Sequence, residues 1–141
     1  MDLSECFEKG LIKKARIDGE LVKSLLEMSY IKEMAVRKAP IDSINISAYV
    51  SLAYDSLREV LEAVCISKGY KVLSHVCIGE LLKDLLKGFD YGKFDRLRWI
   101  RNSINYYGTK IEFGQGKEII NKIFSMKKEL TEKYLPVQSR K

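Results

Sequence analysis

The stretch Arg101-Asn102-Ser103-Ile104-Asn105-Tyr106-Tyr107-Gly108 gathers a fixed cation, two amides and two phenols into eight residues. Arginine stays charged at any accessible pH and presents a planar fork that matches phosphate oxygens, while asparagine adds a donor and an acceptor without charge. On a helix, Leu97, Ile100, Ile104 and Tyr107 recur at i, i+3, i+7 and i+10 and predict a buried stripe, with Arg98, Arg101, Asn102 and Asn105 on the flank beside it. The polar groups are then neighbours in space, and phosphate or nucleotide chemistry fits the set. The plain structural alternative is a helix closed by Gly108, whose Arg101 bridges to a carboxylate such as Asp55 or Glu59 on a neighbouring helix.

Three other groups of residues could carry chemistry. Asp55, Arg58 and Glu59 are polar residues embedded in an apolar helical pattern. An internal Asp55–Arg58 ion pair one turn apart is the ordinary expectation, and a carboxylate at 55 or 59 that orients Arg101 is the functional one. His75 is the single histidine, in the first turn of a helix that starts after Ser74, where the helix dipole favours its neutral form. It reads as a surface or capping residue that docks the turn. Tyr49, Tyr54, Trp99, Tyr106 and Tyr107 could stack on bases, although aromatics at helical spacing more often belong to a core.

The elements that must position these residues read as helices throughout. Leu3 to Glu8 predicts a short helix closed by Gly10, and Leu11 to Ile17 alternates too briefly to decide between extended chain and loop. A second helix runs from Gly19 to Lys38 and stops before Pro40. Possible caps between Asp42 and Ser47 precede a long apolar pattern from Ile46 to Val64 that ends at Gly69, the longest and most central helix. Ser74 caps a fourth helix that stops by Gly88, and Phe94 to Tyr107 is the fifth. Gly114 to Gly116 read as a hinge into a sixth helix ending before Pro136, with a frayed tail over 136–141. Hairpin signals are missing, so the expected fold is all-α: an antiparallel helical bundle of four to five main helices plus a short N-terminal helix.

At 141 residues the chain suits one domain with a real core. Its 46% apolar and 31% charged residues argue against wholesale disorder. A net charge of +6 leans towards nucleic acid, nucleotides or an acidic partner, yet lysines alternate with carboxylates and no long basic run occurs. Cys6, Cys65 and Cys77 lie in helical apolar patterns without CxxC spacing, so neither a disulfide framework nor a metal site is expected, and a reducing cytoplasm is the simplest location. No apolar window is long enough to span a membrane. No residue set calls for a cofactor.

Two stretches read together carry a family resemblance. Tyr49 to His75, with its long helix ending in Ser67-Lys68-Gly69-Tyr70 and restarting at Ser74-His75, and the later Arg101-Asn102 helix end resemble the HEPN domain (higher eukaryotes and prokaryotes nucleotide-binding). The opening Glu5-Cys6-Phe7-Glu8-Lys9-Gly10-Leu11-Ile12 looks like the start of small prokaryotic members, so the resemblance covers most of the chain. It implies a bundle of four or five helices, a homodimer, a minimal nucleotidyltransferase as possible partner in a toxin–antitoxin pair, and a metal-independent ribonuclease or an RNA- or nucleotide-binding relative of one. The family signature is an Arg, a polar residue, and a His four to six positions beyond the Arg. Arg101 and Asn102 match the first two elements, but Asn105, Tyr106, Tyr107 and Gly108 supply no His. A phenol is almost wholly protonated at neutral pH and is a poor base beside imidazole, so weak or lost catalysis is expected, with Tyr106 at most orienting substrate or donating a proton and Arg101 stabilising phosphorane charge. The expected contact set is Arg98, Arg101, Asn102, Asn105 and Tyr106, in a groove shared by two copies, with Asp55 and Glu59 behind it. A non-catalytic module that pairs with the nucleotidyltransferase is the alternative.

Overall fold

The structure is a computed structural model that describes residues 1–135; the tail expected to fray at 136–141 lies outside the described residues. It is an all-α bundle of five long helices with one short helix and a small ribbon. In chain order these are α1 (Leu3–Glu8), β1 (Ile12–Lys14), α2 (Gly19–Lys38), α3 (Ile46–Ser67), β2 (Tyr70–Val72), α4 (His75–Leu85), α5 (Tyr91–Tyr107) and α6 (Phe113–Tyr134).

α3 is the axis of the bundle because it is apolar almost all round. Val50, Ala53, Tyr54, Leu57, Val60, Leu61 and Val64 are all buried, and α2, α4, α5 and α6 pack about it. It shares its length of 22 residues with α6, so it is the most central helix but not alone the longest. The connection into α3 is held by reciprocal caps: Asp42 Oδ1 accepts from the Ile44 and Asn45 amides, and Asn45 Oδ1 accepts from the Asp42 amide. Ser47 Oγ in the first turn accepts from the Ile111 amide at 2.8 Å, which fastens the α5–α6 connection to α3.

Three expectations are corrected here. α5 begins at Tyr91 rather than Phe94, because Asp90 caps it through the Lys93 amide at 3.0 Å. The glycines at 114 and 116 are not a hinge: Glu112 caps α6 through the Gly114 and Gln115 amides, and both glycines lie inside its first turn. Gly116 is required by contact, since a Cβ there would overlap Ile46 Cγ1 of α3. The third concerns cysteine. Cys6 of α1 and Cys77 of α4 form a disulfide 71 residues apart in sequence, whereas Cys65 is free and buried, its thiol pushed up to about 12 by burial and the nearby Glu62. Pairing of distant cysteines depends on which helices meet, and residue spacing alone does not carry it.

The undecided segment 11–17 resolves into a strand. Ile12, Lys13 and Lys14 pair antiparallel with Val72, Lys71 and Tyr70, extended by Ala15 N to Gly69 O at 2.8 Å and Leu73 N to Leu11 O at 2.8 Å. The ribbon and the disulfide together bind the N-terminal arm to the α3–α4 connection. Among the described residues no helix is long and apolar enough to cross a membrane.

Candidate functional site

α5 carries its polar residues where the sequence pattern put them, but its last turn stands clear of the body. Leu97 is buried and Ile100 and Ile104 pack against the core, while every residue from Asn105 to Lys110 is exposed. Tyr107 is 77% exposed and does not continue the buried stripe. Gly108 closes the helix as expected, in the left-handed conformation at φ 65°, with its own amide and that of Thr109 bonded to Ser103 O.

The flank beside that stripe divides in two. Arg98 is held by Asp95 one turn earlier, through Nε at 3.1 Å and Nη2 at 2.8 Å on the same carboxylate oxygen. Arg101 points inward to α3, where Nη2 meets Asp55 Oδ1 at 3.4 Å, a long contact; its buried Nε has no hydrogen-bond partner among the described residues. Asn105 Oδ1 accepts from Ser51 Oγ of α3 at 3.2 Å. Asn102 is half-buried beside Arg101. Tyr106, at 71% exposure, extends into solvent, and no hydrogen bond ties it to Arg101.

Of the two carboxylates considered as partners for Arg101, the structure selects Asp55. Glu59, one turn further along α3, pairs with Lys32 of α2 at 3.0 Å, so it has no part in this cluster. The expected Asp55–Arg58 pair is not formed either. Arg58 turns towards α4, where Nη1 lies 3.1 Å from His75 Nε2, and its Nε lies 3.8 Å from Glu62. Because the guanidinium has only donors, Nε2 must be the acceptor and the imidazole proton sits on Nδ1.

His75 is therefore not an isolated capping residue. Its ring lies 6.0 Å from that of Tyr54, and burial, then Arg58 and Arg101, push its pKa down to about 4 against the opposing pull of Asp55. Tyr54 belongs to the core: it is fully buried, stacked 6.4 Å from Phe94, with the Arg101 guanidinium 5.8 Å from its ring. Its hydroxyl has no hydrogen-bond partner, and burial drives its pKa well above the ordinary phenol value despite Arg98, Arg101 and Arg58 nearby. Tyr54, Arg58 and His75, from α3 and α4, thus join Arg98, Arg101 and Asp55 in one seam. Each was noticeable in the sequence as a polar group in an apolar setting, but only the meeting of three helices shows that they converge.

A buried cation that the sequence pattern did not single out lies between α2 and α6. Lys127 of α6 faces a cleft of about 320 Å³ against α2, where Nζ donates to Glu33 Oε1 at 2.7 Å and Ser29 O at 3.2 Å and lies 5.5 Å from the Phe124 ring centre. Burial raises the Glu33 carboxyl, but Lys127 and Arg37 outweigh it and the net shift is downward. Its signal was available: Ile120, Ile123, Phe124, Lys127 and Leu130 follow one helical stripe with a lysine in the middle.

Compared with family models, with curated proteins and with solved structures, the chain gives no significant match.

Proposed function

We propose that this chain is a HEPN-like protein that binds RNA or a nucleotide phosphate at the inner flank of α5, around Arg101, Asn102 and Asn105, with Arg98 and Tyr106 at its edges. One observation carries the reading: Arg101 is a half-buried cation whose only carboxylate contact among the described residues is 3.4 Å long and whose buried Nε is bare there. Natural proteins pair buried charges tightly when the charge serves the fold alone, so a loosely held arginine with a free donor suits an anionic ligand. Asp55 orients the guanidinium until that ligand arrives. A homodimer would bring two such flanks into one groove, and light scattering at high micromolar protein tests it; a persistent monomer removes the shared groove.

Catalysis is weak or lost in this reading. Tyr106 is solvated and tied to nothing in the cluster, so nothing prepares it as the proton acceptor that the missing histidine would have been. A cytoplasmic setting goes with the reading, and the Cys6–Cys77 bond is then exposed to a reducing thiol pool.

The test is binding of a mixed RNA pool against salt. Affinity should fall steeply with added salt, and Arg101→Ala should weaken it about tenfold or more with unchanged helical circular dichroism. Parent-like affinity of that variant sinks the proposal. The second reading, a module that docks on a minimal nucleotidyltransferase, is favoured by the exposure of Trp99, Tyr106 and Tyr107 at 58%, 71% and 77% on the outer part of α5, a set of aromatics typical of interface anchors. It predicts that substituting those three abolishes association with such a partner while Arg101→Ala leaves it intact.

A further inference from the structure

The unsatisfied polar atoms of the molecule are not scattered. Four buried side-chain atoms lack a hydrogen-bond partner among the described residues, and three of them, Tyr54 Oη, Arg58 Nε and Arg101 Nε, belong to the seam between α3, α4 and α5. All three carry a hydrogen to donate. Tyr54 is fully buried, so its hydroxyl has no recourse to solvent. The charged groups that act on both Tyr54 and His75 are Arg58 and Asp55 from α3 and Arg98 and Arg101 from α5, and the carboxylates of Glu62 and Asp95 stand behind Arg58 and Arg98. Arg98 is held closely by Asp95, whereas Arg58 and Arg101 meet Glu62 and Asp55 only at 3.8 and 3.4 Å, which leaves these two as the cations with capacity. The seam is also where α4 begins, and Ser74 supplies no side-chain cap to its first amides.

A cluster of unmatched donors, two of them on guanidinium groups, calls for an acceptor that is anionic and has several oxygens. Because the bare donor atoms are buried, such a group can enter only end-on, from the side on which Arg58 and Arg101 remain partly exposed. A mid-strand phosphodiester carries chain on both sides and cannot enter that way. We propose that the α3–α4–α5 seam is a seat for a terminal phosphate, a phosphomonoester, held by Arg58 and Arg101 with the Tyr54 hydroxyl and the His75 imidazole beneath it. The proposal rests on Arg101 as a phosphate-binding residue and adds a preference for the end of a nucleic-acid chain, or for a mononucleotide, over its interior. An anion in the seat displaces Asp55 from Arg101 and favours protonation of His75.

The single histidine makes the test direct, since its ring resonances need no assignment. Inorganic phosphate, a nucleoside monophosphate, and short RNAs ending in a 5′-phosphate, a 3′-phosphate or hydroxyls only are titrated into the parent protein, with His75 followed by NMR across pH. Inorganic phosphate is expected to shift the ring signals and to raise the His75 pKa by about one unit or more. RNA with a terminal phosphate is expected to bind about tenfold tighter than hydroxyl-ended RNA. Arg58→Gln should erase that preference while leaving the binding of hydroxyl-ended RNA as it was, and Tyr54→Phe should reduce it. The 5′- and 3′-phosphate arms identify which end is read. His75 signals unmoved by millimolar phosphate overturn the seat, and so does equal affinity for the two kinds of RNA end; if Arg101-dependent RNA binding persists, the proposed function stands without it. Phosphate-induced shifts without binding of any RNA uphold the seat and remove the RNA reading.

Discussion

Two cations turned into this bundle, the buried Lys127 and the half-buried Arg101, are treated in opposite ways. Lys127, between α2 and α6, has a carboxylate at 2.7 Å, a carbonyl at 3.2 Å and an aromatic face, all on rigid helices. Arg101, between α3 and α5, also has an aromatic face, that of Tyr54, but only one polar contact, at 3.4 Å, and an Nε without a hydrogen bond, next to a second arginine whose Nε reaches Glu62 only at 3.8 Å and a tyrosine with an idle hydroxyl. A charge that serves the fold is saturated by the fold, whereas one left short of partners in a closely packed interior has capacity for something else. The difference separates a structural side of the molecule from a receptive one.

The largest effect expected is on the wall of the receptive side. Cys6→Ser removes a bond closing 71 residues of chain and should destabilise by about 3–4 kcal/mol, measured by urea unfolding with and without reductant. Hydrogen exchange should then rise in α4 before α6; the reverse order would dissolve the distinction between the two sides.

Gly116→Ala attacks the structural side. Its Cβ would overlap Ile46, so a loss of about 2–3 kcal/mol is expected, and a variant of parent stability would mean that α3 and α6 part more easily than their packing indicates. The direct contrast is Lys127→Met against Arg101→Met. The first leaves Glu33 with Arg37 alone and should cost about 2 kcal/mol; the second should cost less than about 0.5 kcal/mol while weakening RNA binding about tenfold or more. Equal costs would break the comparison.

A smaller effect follows from His75. Its pKa, about 4 in the fold, lies below the ordinary 6.5, so between these values the unfolded chain binds a proton that the folded one refuses, and stability falls as pH drops from 6.5 towards 4. After allowance for solvent screening of a half-buried ring, the loss is about 1 kcal/mol. It should be absent in His75→Asn, and it should shrink in the parent when phosphate is added. Least of all, Tyr106→Phe should change stability and RNA affinity by less than about 0.5 kcal/mol, since its hydroxyl touches neither side.

The helices were legible because their apolar residues keep the helical period and their ends carry glycines, prolines and caps. Gly19 to Lys38 and the left-handed turn at Gly108 agree with the pattern in both bounds and conformation. Asp90 was a readable cap that the apolar start at Phe94 overshadowed. Gly116 looked like a flexible joint because a glycine required by close contact and one required for freedom are the same letter. In the candidate site, Arg101 and its link to Asp55 were within reach of helical spacing. The approach of Arg58 to His75, and the turn of Glu59 to Lys32, were not, because spacing within one helix fixes which residues share a face but not which neighbour that face meets. The Cys6–Cys77 bond was hidden for the same reason.

The ribbon at the N-terminus sets an order of events during synthesis. β1 is made before its partner β2, which lies beyond the whole of α2 and α3, and Cys6 waits for Cys77 in the first turn of α4. The first 17 residues therefore have no settled place until about 80 residues are clear of the ribosome, at roughly 5–20 residues per second. For those seconds an arm carrying Leu3, Cys6, Phe7, Leu11 and Ile12 has no counterpart to close on, and this is when a chaperone or a neighbouring nascent copy has its best access to the chain.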